Sequence, residues 1–184
     1  MENNIQIQYS IEKRNIKYSR IEYRKGTLCL IMPESYNEKQ ILEKHQDWIS
    51  SKKKEIELAL KRTEGLTLNN LDIESLKTMA YAQAKSISSN FNINIGRLYF
   101  RKMKTKWASC SSDGNLTINT LCRYLPNNLI EYVLFHEIMH RIEKRHNSKF
   151  WEMISNRYND HDDIENLLFS YWFLVCKEND IKKG

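Results

Sequence analysis

The stretch Tyr132-Val133-Leu134-Phe135-His136-Glu137-Ile138-Met139-His140 joins an apolar run to the pattern H-E-x-x-H. On a helix, at about 100° per residue, two histidines four apart are rotated by roughly 400° and so lie on one face, one turn from each other. Both imidazoles can then reach a single metal ion, and zinc suits that geometry. Glu137, next to the first histidine, is not itself a ligand in such an arrangement. Its carboxylate can hold a water on the metal and take its proton, the general-base step of peptide hydrolysis. The four residues Tyr132 to Phe135 would anchor the helix and keep its surroundings dry.

Pro126 opens this helix, with Asn127 and Asn128 as caps and Glu131 three residues past Asn128 in a capping-box spacing. Neither Gly nor Pro interrupts the chain through Arg145. A catalytic zinc needs a third protein ligand, and His146 is the best candidate. Ten residues from His136 is roughly 1000° on a helix, or about 280° after full turns, so His146 would point away from an unbroken helix. The chain must therefore bend between Arg141 and Arg145. Metzincins share the spacing H-E-x-x-H-x5-H but use Gly for the bend, where this chain has Glu143, so that assignment is poor. Glu152, Asp162 and Glu165 compete as third ligands. Asn147 or Ser148 can cap a following helix carrying Phe150, Trp151, Ile154 and Tyr158. After a polar break at 159–163, a last helix reaches about Lys177.

Upstream, Arg97 to Met103 and Lys106 to Ser112 are β-compatible, and Asp113-Gly114 is a two-residue hairpin signal leading into Asn115 to Thr120. Trp107 to Asn119 thus reads as a hairpin. Before it, Ile73, Leu76, Met79, Ala80, Ala84, Ile87 and Phe91 follow helical spacing behind a cap at Asp72. At the N-terminal end, Ile5, Ile7, Tyr9 and Ile11 alternate with polar residues, as do Ile16, Tyr18, Ile21 and Tyr23 with one slip of register. Thr27 to Met32 follows a Lys25-Gly26 turn, which predicts three antiparallel strands. Beyond Pro33, Ile41, Leu42, His45, Trp48, Ile49, Ile56 and Leu60 share one helical face, with His45 as a packing residue. Gly65 and Asn69-Asn70 mark a break.

The chain has 184 residues, 41% hydrophobic and 28% charged, which excludes a disordered or collagen-like protein. Five Gly and two Pro leave little linker material, and no repeat is visible. The polar start lacks the pattern of a signal peptide, and Leu167 to Cys176 is about half the length of a bilayer span, so a cytoplasmic protein with no membrane partner is expected. Cys29, Cys110, Cys122 and Cys176 show no C-x-x-C spacing, and reduced thiols are expected. Nothing near Cys110 in sequence lowers its thiol pKa. Net charge is +6, divided as +8 over residues 1–125 and −2 over 126–184. Arg97, Arg101, Lys102, Lys104 and Lys106 form a basic run that reads either as a solvated strand face or as a surface for phosphate, possible nucleic acid included. Trp107, Trp151, Phe150 and Tyr132 read as packing residues. His161 reads as a solvated loop residue, with an indirect role at the metal as the alternative.

Four segments together resemble the YgjP-like metallopeptidase family, related to SprT-like and other small gluzincin-type zincins. They are Lys104-Thr105-Lys106-Trp107-Ala108-Ser109-Cys110-Ser111, Leu116-Thr117-Ile118-Asn119, Glu131 to His140, and His146-Asn147-Ser148-Lys149-Phe150-Trp151. The resemblance implies an α+β chain: a zincin-like catalytic domain over 64–184, with an active-site helix on an antiparallel or mixed sheet. Before it stand three strands and a helix over 1–63. It implies one zinc per chain on His136, His140 and His146, Glu137 as base, and a cleft rim formed by the Trp107 strand. Trp107, Ala108, Ser109 and Cys110 would then hold a peptide or protein substrate by strand addition. Ala108 stands where the family has Gly, a change that could crowd the peptide, and Lys106 stands where it has Arg. Asn147-Ser148 follows His146 where the family often has Asn before the His. The alternative is a nucleic-acid-associated or complex-bound module with a mainly structural zinc.

Overall fold

The computed structural model describes residues 9–24, 27–35 and 37–181. The expected strand positions Ile5 and Ile7 and the Lys25-Gly26 turn lie outside these residues. The chain is mixed α+β, with two small sheets and six helices among the described residues. It divides into two compact units, one running to Gly65 and resuming at Trp172, the other Leu66–Tyr171.

In the first unit, β1 (Tyr9–Lys13), β2 (Arg20–Arg24) and β3 (Thr27–Met32) form a sheet in the order β1-β3-β2. β2 pairs antiparallel with β3, but β1 pairs parallel with it, unlike the all-antiparallel expectation. The reason lies in β3, whose Leu30, Ile31 and Met32 are fully buried. A near-continuous apolar run is satisfied only between two neighbours, so it takes the centre and separates β1 from β2. The single helix expected beyond Pro33 is two, α1 (Glu38–Lys44) and α2 (Gln46–Thr63), parted at His45. Asn37 caps α1 by accepting from the Lys39 amide at 2.9 Å. Trp48, expected on the packed face, is 40% exposed.

The second unit opens with α3 (Ile73–Asn90), capped by Asp72, whose carboxylate accepts from the Ser75 amide at 2.8 Å. Leu76, Ala80, Ala84 and Ile87 form its buried stripe. The strands β4 (Leu98–Arg101), β5 (Ala108–Cys110) and β6 (Leu116–Asn119) follow in the order β4-β6-β5, so β5 is an edge. β4 is parallel to β6 and β5 antiparallel to it. The β5–β6 turn is one residue longer than Asp113-Gly114 predicts. The Gly114 amide donates to the Ser111 carbonyl and the Ser111 amide to the Asn115 carbonyl, both at 2.9 Å. Within this loop Gly114 alone takes a positive φ, +83°, so the loop is a turn closed by a left-handed glycine.

A 3-10 turn (Thr120–Tyr124) leads into α4 (Asn127–Met139), followed by α5 (Ser148–Ser155) and α6 (His161–Ile181). α4 is buried on nearly every side, from Leu129 and Ile130 through Phe135 to Met139, and packs on α3, α5 and β5. Such a helix is a core element rather than a surface one. No capping box forms: Pro126 occupies the cap position and Glu131 pairs with Arg157 at 2.5 Å. Among the described residues no helix is long and apolar enough to cross a membrane.

Asn119, at the end of β6, is fully buried. Its side-chain oxygen accepts from the amides of Met103 at 3.2 Å and Leu121 at 3.1 Å. Its side-chain nitrogen donates to the carbonyls of Met103 at 3.0 Å and Lys106 at 2.7 Å. One amide group thus ties down both ends of the irregular 103–106 segment that delivers the chain into β5. Asn119→Ala leaves these backbone groups without partners, and a loss of about 2–4 kcal/mol is expected. Denaturant midpoints of the two proteins measure it; equal midpoints would contradict the assignment.

Candidate metal centre

His136 and His140 lie on the last turn and at the C-cap of α4, their ring centroids 5.2 Å apart. α4 stops at Met139, and the next residues tighten into single turns. The amide of Arg141 donates to the Ile138 carbonyl and that of Ile142 to the Met139 carbonyl, both at 2.9 Å. Glu143, where a glycine would serve in a metzincin, turns the chain through its side chain, whose carboxylate accepts from the Arg145 amide at 3.2 Å. His146 thereby returns to the pair, with centroids 5.0 Å from His136 and 4.6 Å from His140. One ligand atom from each of the three rings lies within 4.8 Å of the others.

The outward ring nitrogens are committed in a way that frees the inward ones. His140 Nδ1 is 3.0 Å from the Glu143 carbonyl, so it carries the proton and Nε2 is left as a donor to a metal. His136 Nδ1 is 3.2 Å from a carboxylate oxygen of Glu165, while its Nε2 is 2.9 Å from His146 Nε2. Glu165 also accepts from the Tyr132 hydroxyl at 2.8 Å. Burial acts to raise the Glu165 carboxyl, but the hydrogen bonds from His136 and Tyr132 leave it below the usual range. A carboxylate on the far nitrogen of a ligating histidine fixes the ring and raises its basicity. Glu165 therefore supports His136 and does not join the cluster. Glu152 and Asp162 are not in it either.

Phe150, fully buried on α5, stacks on His140 at 4.6 Å and meets His136 and His146 edge-on. Asn147 places it by capping α5, accepting from the Phe150 amide at 3.0 Å. Trp151 stacks on His146 at 5.6 Å and on His161 at 5.1 Å. His161 is thus a packed first residue of α6, not the expected loop residue. Three imidazoles without a thiolate, on an apolar floor, make a donor set that fits zinc with a fourth position left for a non-protein ligand.

The cluster lies in a cleft of about 510 Å³, bordered by residues 106–112, α4 and Glu165. Trp107, Ala108, Ser109 and Cys110 all line it. The Asn119 amide donates to the Trp107 carbonyl at 2.8 Å, and Ser109 is paired with Thr117. Alternation along an antiparallel ladder then turns the backbone groups of Ala108 and Cys110 toward the open edge. Glu137 faces that edge, with the Cys110 amide in hydrogen-bonding reach. Burial pushes the Glu137 carboxyl above the usual carboxylate range, against the pull of His136 and His140. Ala108 belongs to the core of this unit and is 3% exposed, with β5 formed around it. Burial, and after it Glu137, raise the Cys110 thiol, which is the opposite of an activated nucleophile. Arg97, Arg101, Lys102, Lys104 and Lys106 are all exposed.

The paired roles of Glu165 and Tyr132 are not apparent from the motif. Tyr132 precedes His136 by four residues, and that spacing on one helix face was the available signal.

Residues 65–171 match the family described as YgjP-like, metallopeptidase domain. Among solved structures, the metallopeptidase zymogen jannalysin of Methanocaldococcus jannaschii is 28% identical, with a TM-score of 0.42, over 47% of this chain and 89% of that one. The metallopeptidase zymogen abylysin of Pyrococcus abyssi is 18% identical, with a TM-score of 0.46, over 50% of this chain and 93% of that one. No curated protein sequence matches the chain.

Removing the Glu165 carboxylate should loosen His136. Glu165→Ala is expected to weaken zinc binding about 10- to 100-fold in competition with a chromogenic chelator. An unchanged affinity would exclude the supporting role.

Proposed function

Because the chain belongs to the YgjP-like metallopeptidase family, we propose that it is a zinc-dependent peptidase holding one ion on His136, His140 and His146, with Glu137 as its base. The observation that carries this reading is the approach of three imidazole nitrogens to within 4.8 Å of one another beside Glu137, under an open strand edge. Zinc bound there would act as a Lewis acid on the scissile carbonyl and make water acidic enough to ionise near neutral pH.

The remaining steps belong to the protein's own groups. An extended peptide adds to β5, meeting the outward N–H and C=O of Ala108 and the outward C=O of Cys110. The Cys110 amide is engaged by Glu137, so the strand and the base hold one another in register. Glu137 takes the proton from the attacking water and delivers it to the departing amine. Glu165 and the Glu143 carbonyl hold the rings of His136 and His140 in the tautomers that leave Nε2 free.

A nucleic-acid module with a structural ion fits less well. Its basis is the basic residues within 97–106, all of them exposed side chains. A three-imidazole set with a neighbouring carboxylate is the pattern of a catalytic site rather than a closed structural one.

Protein purified without added metal should carry about one zinc per chain. It should cleave a mixed peptide pool, lose that activity to a chelator and regain it with zinc. Glu137→Gln should retain the zinc and lose about 10²- to 10⁴-fold in turnover. A Glu137→Gln protein as active as the parent would overturn the assignment of the base.

A further inference from the structure

The cleft carries more positive charge than the proposed chemistry uses. Its two carboxylates, Glu137 and Glu165, are already engaged, the first with the Cys110 amide and the second with His136 and Tyr132. Lys106, Arg141 and Lys144 also line it, and none of the three forms an ion pair with a described residue. Lys106 precedes β5. Arg141 stands past the other end of the strand, where it donates through Nη1 to the Ser112 carbonyl.

Arg141 is held in place. A Cβ on Gly114 would lie 3.1 Å from its Nε and 3.3 Å from its Cζ, so the guanidinium rests directly on the glycine of the β5–β6 turn. Its Nε is buried and has no hydrogen-bond partner. One edge of the fork is thus fixed to the hairpin, and the cation is already desolvated in part. Lys144, three residues on, adds an exposed ammonium to the same cleft. A guanidinium fixed in this way binds a carboxylate with less ordering cost than a free surface lysine does.

We propose that Arg141, with Lys144 beside it, forms a carboxylate-recognising subsite at the Cys110 end of β5, so that the cleft selects peptides bearing an acidic group at that end. The proposal deepens the peptidase reading and rests on it. The carboxylate can come from an Asp or Glu side chain or from the C-terminus of the substrate, because the subsite reads charge and planar geometry common to both.

Zinc-loaded Glu137→Gln protein, titrated with fluorescent peptides, tests this without requiring turnover. The probes are one neutral extended peptide with an amidated C-terminus, its counterpart with a single internal Glu walked along the sequence, and the neutral peptide with a free C-terminus. At low salt, at least one acidic form should bind about tenfold tighter than the neutral amide, and the advantage should shrink as salt rises. Preference for the internal Glu identifies a side-chain subsite; preference for the free C-terminus identifies an exopeptidase-like one. The advantage should vanish in Arg141→Gln and in Lys144→Glu, the second at an exposed position that leaves folding intact. Equal binding of all three peptides, or an advantage unaffected by both substitutions, would overturn the subsite. The same peptides given to the parent enzyme separate the two readings. Cleavage of all of them, together with equal binding, removes the subsite and keeps the peptidase. Cleavage of none, with a binding preference that both substitutions abolish, removes the peptidase and keeps the subsite.

Discussion

A straight helix can bring two imidazoles one turn apart to one point, but it cannot bring a third from ten residues on. The three-histidine cluster therefore depends on α4 ending at Met139 and on the chain returning within a few residues. Glu143 acts twice in that return. Its carboxylate takes the Arg145 amide, and its carbonyl faces His140 Nδ1. The turn that brings His146 back is thus also the group that orients a second ring. Phe150, placed by the Asn147 cap, supplies the floor against which all three imidazoles rest.

The other wall of the cleft depends on a different constraint, the satisfaction of buried backbone groups. The segment 103–106 is irregular, and the backbone groups at its two ends, the Met103 amide and the Met103 and Lys106 carbonyls, are paired by one buried side chain, Asn119. From there the chain enters β5 with Ala108 and Cys110 turned toward Glu137. Charge follows the same layout. Carboxylates stand beside the imidazoles, Glu165 against His136 and Glu137 against the Cys110 amide, and cations stand at the two ends of the strand.

Much of this was legible in the residues. The helical period placed the buried stripe of α3 and the apolar body of α4, and Asp72 and Asn147 cap where small polar residues before apolar runs said they would. The requirement for a bend before His146 followed from helix geometry alone. Other readings failed where one local signal had a competitor. Asn128 and Glu131 had the spacing of a capping box, but Pro126 took the cap and Glu131 found Arg157. Asp113-Gly114 marked the hairpin, yet only the glycine entered the left-handed region, and the loop grew by a residue. His45 parts α1 from α2 with no Gly or Pro beside it to announce a break.

By itself the sequence determined the local chemistry: two histidines on one helical face, a carboxylate between them, a third histidine that only a bend could recruit, and a hairpin upstream. These follow from periodicity and from the donor and acceptor types of single residues. Tertiary structure alone decided which distant groups would meet them. Glu165 became a support for His136 rather than a ligand, β1 joined β3 in parallel, and Arg141 came to rest on Gly114. None of these has a local signature, because each depends on how separate elements share a limited interior and on which buried polar groups remain to be satisfied when they do.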